Sequence, residues 1–156
     1  MFNIVLYQPE IPPNTGNIIR LCANTGCRLH LVEPLGFDLN DKKLRRAGLD
    51  YHEWAEVRIH PDLASACKQA GSVYAISTRG SRRYTDASFK QGDTLIFGPE
   101  TRGLPGSYLD TLDQQSILRI PMLKHSRSLN LSNAVAVLVY EGLRQNSFTD
   151  MSDNLS

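Results

Sequence analysis

Apolar residues gather in five short runs: Phe2–Tyr7, Arg28–Glu33, Ser72–Thr78, Thr94–Pro99 and Ser116–Pro121. Each is rich in β-branched or large apolar side chains and is bounded by turn-forming residues, the pattern of a strand. Between the runs the spacing becomes helical. Asn14 or Thr15 can cap a helix that Gly26 ends, Asp41 one that Gly48 ends, and Asp62 opens a segment stopped by Gly71. Residues 105–112 predict a short helix and residues 132–145 a longer one. Strands alternating with helices predict an α/β domain whose mostly parallel sheet is flanked by helices. Ligands of such sheets sit beyond the carboxyl ends of the strands. The loops after Tyr7, Phe97 and Ile120 fall there.

A chain of 156 residues supports one domain, expected over 1–146. The tail 147–156 is polar, acidic and aperiodic, and is expected to be disordered. The longest apolar run, Ala134 to Tyr140, is too short to span a bilayer. The N-terminus lacks a basic stretch, so neither a signal peptide nor a membrane partner is expected. An odd count of three cysteines points to reduced thiols in the cytoplasm. Cys22 and Cys27 have no histidine or second cysteine pair nearby, so no metal is expected. His30, His52, His60 and His125 are scattered and make no dyad.

Charge changes the picture only locally. The net charge is +1, yet Lys42, Lys43, Arg45 and Arg46 crowd one segment and Arg79, Arg82 and Arg83 another. Two such runs, with Arg20 and Arg102 in polar surroundings, favour an RNA phosphate backbone over a merely solvated face; DNA is not expected. On the first helix, Ile18, Leu21, Cys22 and Thr25 share one stripe, and Asn17, Arg20 and Asn24 share the other. Two amides around one guanidinium suit a phosphate or ribose.

Two loops carry the remaining candidate chemistry. Leu95–Gly106 runs from a strand into Gly98-Pro99 and a turn with further glycines, allowing close backbone approach to a ligand. It lacks the Gly-Lys-Ser/Thr of a Walker loop, the dinucleotide glycine fingerprint and the hydrolase elbow. The loop after Ile120 offers Ser126, Ser128, Asn130, Ser132 and Asn133, all uncharged and all able to hydrogen-bond. Helix capping by Ser132 or Asn133 accounts for one or two of the five. The residues alone reach a nucleotide-like or nucleic-acid ligand, and a flavodoxin-like nucleotide-binding protein fits the strand pattern equally.

Three motifs in order resemble those of SPOUT-class RNA methyltransferases. They are Asn14-x-Gly-Asn-x-x-Arg20, Phe97-Gly-Pro-Glu-Thr-Arg-Gly-Leu104 and Ile120-Pro-Met with Ser128-Leu-Asn-Leu-Ser-Asn133. Within that class the wording is similar to the tRNA wobble-nucleotide 2′-O-methyltransferases, over Phe2 to about Arg144. The resemblance implies an α/β fold with a deep C-terminal trefoil knot, a homodimer, and S-adenosyl-L-methionine as cofactor (S-adenosyl-L-homocysteine as product). It implies methylation of the ribose of a wobble cytidine or carboxymethylaminomethyluridine in the tRNA anticodon stem-loop, with leucine isoacceptors as substrates. The cofactor would meet Ile76, Ser77, Thr78, Gly98, Pro99, Glu100, Ile120, Met122 and Ser128. Arg20, Ser128 and Asn130 would be catalytic. Asn14, Asn17, Arg20, Arg45, Arg46 and Tyr140 would serve the RNA substrate. The rival reading is a non-catalytic RNA-binding module with the same fold.

Overall fold

The computed structural model describes residues 1–46, 49–69 and 71–152. Its elements run β1 (Asn3–Tyr7), α1 (Pro12–Thr25), β2 (Arg28–Val32), α2 (Lys42–Arg45), α3 (Tyr51–Ala55), β3 (Val57–His60), α4 (Leu63–Ala66), β4 (Val73–Ile76), β5 (Arg82–Arg83), β6 (Thr94–Phe97), α5 (Gly106–Leu109), β7 (Ile117–Arg119) and α6 (Leu131–Gln145). Among the described residues the strands form one seven-stranded sheet in the order β3-β2-β1-β6-β4-β7-β5. Every strand pair is parallel.

Strand alternation sorts the core into two layers. Ile4 and Leu6, Leu29 and Leu31, Leu95 and Phe97, and Leu118 face α1 and α6, which contribute Ile18, Ile19, Val135, Leu138 and Val139. Val5, Val32, Ala75, Ile96 and Ile117 face the other way, towards Ala66 of α4 and Leu109 of α5. Both faces being covered, the central strands read as continuous apolar runs, which is why the sequence reveals them. No helix among the described residues is long and apolar enough to cross a membrane.

Three boundaries differ from expectation. Helix α1 starts at Pro12, with Pro13 next and Ile11 as an N-cap that has no side-chain bond, so neither Asn14 nor Thr15 caps it. Proline is suited to the first helical turn because its missing N–H would go unpaired there anyway. Asp41 and Asp62 do cap α2 and α4, but both helices are a single short turn; the expected stop at Gly48 lies outside the described residues. Residues 147–150, in the tail expected to lack structure, continue in turns. The Ser147 and Phe148 amides donate to the Arg144 and Leu143 carbonyls, and Met151 packs on the core. Helix-end carbonyls need such donors. The last four residues of that tail lie outside the described ones.

One polar chain, buried at His30 and Asn3 and partly exposed at His60, links β1, β2 and β3. His30 Nδ1 lies 2.9 Å from His60 Nε2, and His30 Nε2 lies 3.2 Å from Asn3 Oδ1. Burial, then the charges of His60, Arg58 and Arg28, push His30 down to about 4 from 6.5. The fold therefore holds His30 neutral. That stability is fully present above pH 6.5 and is lost as pH falls towards 4, by about 2 kcal/mol at pH 5. Urea unfolding at pH 7 and pH 5 should show this difference, and His30→Gln should shrink it.

Candidate functional site

The carboxyl ends of β4, β6 and β7 open into a cavity of about 600 Å³. Of the strand-end residues expected to meet a cofactor, only Glu100 is charged. Ile76, Ser77 and Thr78 leave β4; Gly98, Pro99 and Glu100 leave β6; Ile120, Met122 and Ser128 belong to the segment after β7. All nine residues predicted to meet a cofactor line this one cavity. Leu131 and Ala134 of α6 close it from the side.

Backbone proximity shapes the wall. A Cβ on Gly98 would lie 2.3 Å from the Leu104 nitrogen and 2.4 Å from the Gly103 carbonyl carbon. The motif loop is therefore folded onto its own glycine, with Gly103 in the left-handed region at φ 67° and its amide donating to the Pro99 carbonyl. The stretch after β7 is exposed from Leu123 to Asn130, turning at His125 with φ 69°.

Two glutamates, ninety residues apart, bolt the β6 loop to the entry of α1. Glu100 Oε2 accepts the Glu10 and Ile11 amides at 2.7 and 3.1 Å. Glu10 in turn accepts the Thr101 amide at 3.0 Å and the Thr101 hydroxyl at 2.8 Å. These bonds from Thr101 hold the Glu10 carboxyl below its usual range, with Arg102 adding to the effect. Glu100 thus places a carboxylate at the start of a helix that has no cap of its own, where the helix dipole favours it. The other oxygen of Glu100 is buried without a partner. Leaving a buried acceptor unpaired costs about 1–3 kcal/mol, so this residue of the cavity wall suits a ligand that donates a hydrogen bond.

Asn14 and Asn130 tie α1 to α6. Asn130 Nδ2 donates to Asn14 Oδ1 at 3.0 Å, while Asn130 Oδ1 accepts the Ser132 amide and hydroxyl at 3.0 and 2.6 Å and the Asn133 amide at 3.4 Å. The cap of α6 is therefore Asn130, ahead of Ser132 and Asn133, and its polar atoms are engaged away from the cavity wall. Asn130→Ala should lower stability by about 1–2 kcal/mol in urea unfolding, and Asn14→Ala should add little once Asn130 is gone.

The other predicted substrate residues lie outside the wall. Arg20 and Asn17 sit on the exposed face of α1, where Arg20 Nε lies 3.2 Å from Glu53 Oε2. Arg45 and Arg46 are exposed at the end of α2, and Arg45 donates to Asn40 at 2.8 Å. Tyr140 projects from α6, 46% exposed. The structure also adds residues that the sequence did not single out for the cavity: Arg79, Arg102, Arg119 and Lys124. Arg79 stood in a run already read as basic and Arg102 in a polar loop noted beside the runs; Arg119 and Lys124 carried no signal before the loops met. Burial pushes the thiols of Cys22 and Cys67 up, the latter to about 11, as befits packing residues.

Comparison with known proteins bears directly on this geometry. A model of the SpoU rRNA Methylase family matches residues 1–140. The chain is 59% identical over 150 residues to the tRNA (cytidine(34)-2'-O)-methyltransferase of Saccharophagus degradans, covering 95% of this chain and 97% of that protein. A structure solved to explain 2-OH methylation of C/U34 on tRNA is 46% identical, with a TM-score of 0.86 and 95% and 97% of the two chains covered. An AdoMet-bound rRNA methyltransferase from Sinorhizobium meliloti is 26% identical, with a TM-score of 0.77 over 92% of this chain and 56% of that one.

Proposed function

The chain belongs to the SpoU rRNA methylase family, and from that membership we propose that it methylates the ribose 2′-hydroxyl of the wobble nucleotide of tRNA, using S-adenosylmethionine. The observation that carries this reading is the gathering of all nine expected cofactor residues around one cavity at the strand ends. The relatives agree with it over nearly their full length. When bound, the cofactor supplies an electrophilic methyl group on a sulfonium. The nine residues expected to meet that cationic group include no lysine or arginine, and the unpaired Glu100 oxygen can accept one of its donors.

The residues of the chain then have distinct tasks. Gly98 and its neighbours shape the cavity floor, and Ser128 offers a hydroxyl in its wall. Arg20 orients the attacking 2′-oxygen and stabilises the negative charge that develops on it; a guanidinium keeps its proton and so is not the base. Asn130 and Asn14 are positioning residues that fix α6 against α1. Asn17, Arg45, Arg46 and Tyr140 serve the anticodon stem-loop from the exposed helix faces.

Arg20 does not line the cavity of its own chain, and a homodimer in which each subunit lends Arg20 to the other resolves this. Ile11, Leu129 and Tyr140, 41%, 42% and 46% exposed at α1 and α6, supply apolar surface for such an interface. The C-terminal segment threads as a deep trefoil knot in this reading. In support, β7 lies between β4 and β5 although it follows both, and a Cβ on Gly80 would come within 2.8 Å of the Leu118 backbone. Three free cysteines accord with a cytoplasmic site of action.

The test is incubation with methyl-labelled S-adenosylmethionine and tRNA lacking the modification, leucine isoacceptors included, followed by mapping of the labelled ribose. Label on the wobble ribose is the expected result. Binding of cofactor and tRNA without product would instead favour a non-catalytic module.

A further inference from the structure

The ion pairs among the described residues that bear on charge balance, Arg20–Glu53 and Arg144–Glu141, both lie away from the cavity. Its rim nevertheless gathers cations. Arg79 comes to its wall from the end of β4, and Arg119 and Lys124 from the end of β7, Arg79 and Lys124 exposed and Arg119 half-buried. Arg102 also lines it but is anchored, donating to Gln8 at 3.3 Å and lying near the Glu10 carboxylate.

The sheet register enlarges this group. On the last two strands Arg83 stands opposite Arg119. In-register neighbours of parallel strands leave the same face of the sheet, so two arginines start from adjacent positions there, and like charges so placed destabilise a pair. Arg82 faces the other way and is consumed by structure, donating to the Gln115 and Asp86 carbonyls at 2.7 and 2.8 Å. Gly106 leaves room for Arg79, since a Cβ there would lie 2.6 Å from its guanidinium. None of Arg79, Arg83, Arg119 and Lys124 has an ion-pair partner among the described residues.

Four uncompensated cations are a poor setting for a methyl donor that is itself cationic. We infer that Arg79, Arg83, Arg119 and Lys124 form a phosphate site for the RNA strand at the cavity mouth, whose charge lets the site hold the sulfonium donor. Guanidiniums bind phosphate bidentately, and Arg79, Arg119 and Lys124 border the cavity proposed to hold the methyl donor. This inference rests on the proposed methyl transfer to RNA. By reciprocity, RNA should tighten binding of S-adenosylmethionine more than that of S-adenosylhomocysteine, which lacks the sulfonium charge.

The experiment compares wild type with Arg79→Gln/Arg119→Gln/Lys124→Gln in the full chain, and with Arg83→Gln alone, which leaves the cavity wall intact. Affinity for tRNA is measured across a salt series, and affinities for the two cofactor forms are measured without RNA. In the triple variant tRNA affinity should fall by at least about tenfold, with the log–log salt slope flatter by about 2–3. Arg83→Gln should flatten it by about 1. Binding of S-adenosylhomocysteine should stay within about twofold, while S-adenosylmethionine gains on it by a few-fold at low salt, where screening is weak. Unchanged tRNA affinity and slope in both variants would overturn the inference. A parallel loss of both cofactor forms would overturn it too, assigning the rim to the carboxylate they share. If wild type methylates no tRNA, the functional reading fails instead; the rim inference fails alone when methylation proceeds and these slopes do not move.

Discussion

Replacing Gly98 with alanine should strip the protein of its cofactor while leaving it folded. The added methyl would sit 2.3 Å from the Leu104 nitrogen and 2.4 Å from the Gly103 carbonyl carbon. Both are backbone atoms, so the whole loop must move. Overpacking of this kind costs about 1–3 kcal/mol, which for a chain of this size lowers the melting midpoint by a few degrees. The larger effect falls on the ligand, because the displaced loop carries Pro99, Glu100 and their hold on α1. Calorimetry with S-adenosylhomocysteine should show affinity down by about a hundredfold or more, equivalent to about 2.7 kcal/mol. Gly103→Ala is the informative partner. Its Cβ would meet nothing within 4 Å, but its φ of 67° strains a side chain, so it should cost some stability and much less binding. Equal cofactor affinity in Gly98→Ala and wild type would refute the assignment of the floor.

Arg20→Ala should lower turnover by about 10²-fold or more, the usual cost of removing a group that stabilises developing charge. Cofactor affinity should not change, since Arg20 is absent from the wall. Arg20→Lys should not rescue it, because a lysine lacks the planar fork that fixes an oxygen in two directions. Near-native turnover of the lysine variant would remove the need for a fork. The bond to Glu53 is no obstacle to this role: the Arg20 side chain is 46% exposed, and exposed pairs contribute about 1 kcal/mol or less. Subunit mixing locates the arginine. If each chain lends Arg20 to its partner, equal amounts of Gly98→Ala and Arg20→Ala chains should recover about a quarter of wild-type activity through the mixed dimers. If the arginine acts within its own chain, the mixture stays inactive.

The central sheet was readable from sequence because both of its faces are covered, which forces long apolar runs on β1, β2, β4, β6 and β7. The flanking strands were not. Val57–His60 alternates with charge, leaving Ile59 41% exposed, and Arg82–Arg83 has no apolar residue at all; edge strands need neither. The start of α1 was misplaced for a related reason. The helix has no side-chain cap, and the amides just before it are held by Glu100, ninety positions along the chain, which no local pattern can announce. At the site, the cofactor residues were legible because they cluster in three short motifs. Arg119 and Lys124 acquire their role only when β7 is set beside β4 and β5, bringing them to Arg79 and Arg83. Glu10 likewise stood in the sequence as one acidic residue before two prolines, and its bonds to Thr101 appear only in space.

Strand β1 lies between β2 and β6, its register with the latter joining Asn3 to Thr94 and Leu6 to Phe97. A ribosome making this chain therefore exposes the first strand, with one edge unpaired, until more than half of the protein has been synthesised. Unpaired strand edges invite association between chains, and contacts so distant in sequence slow closure. Expression at lower temperature or with more chaperone should accordingly raise the yield of soluble product, and a truncation ending before Thr94 should aggregate.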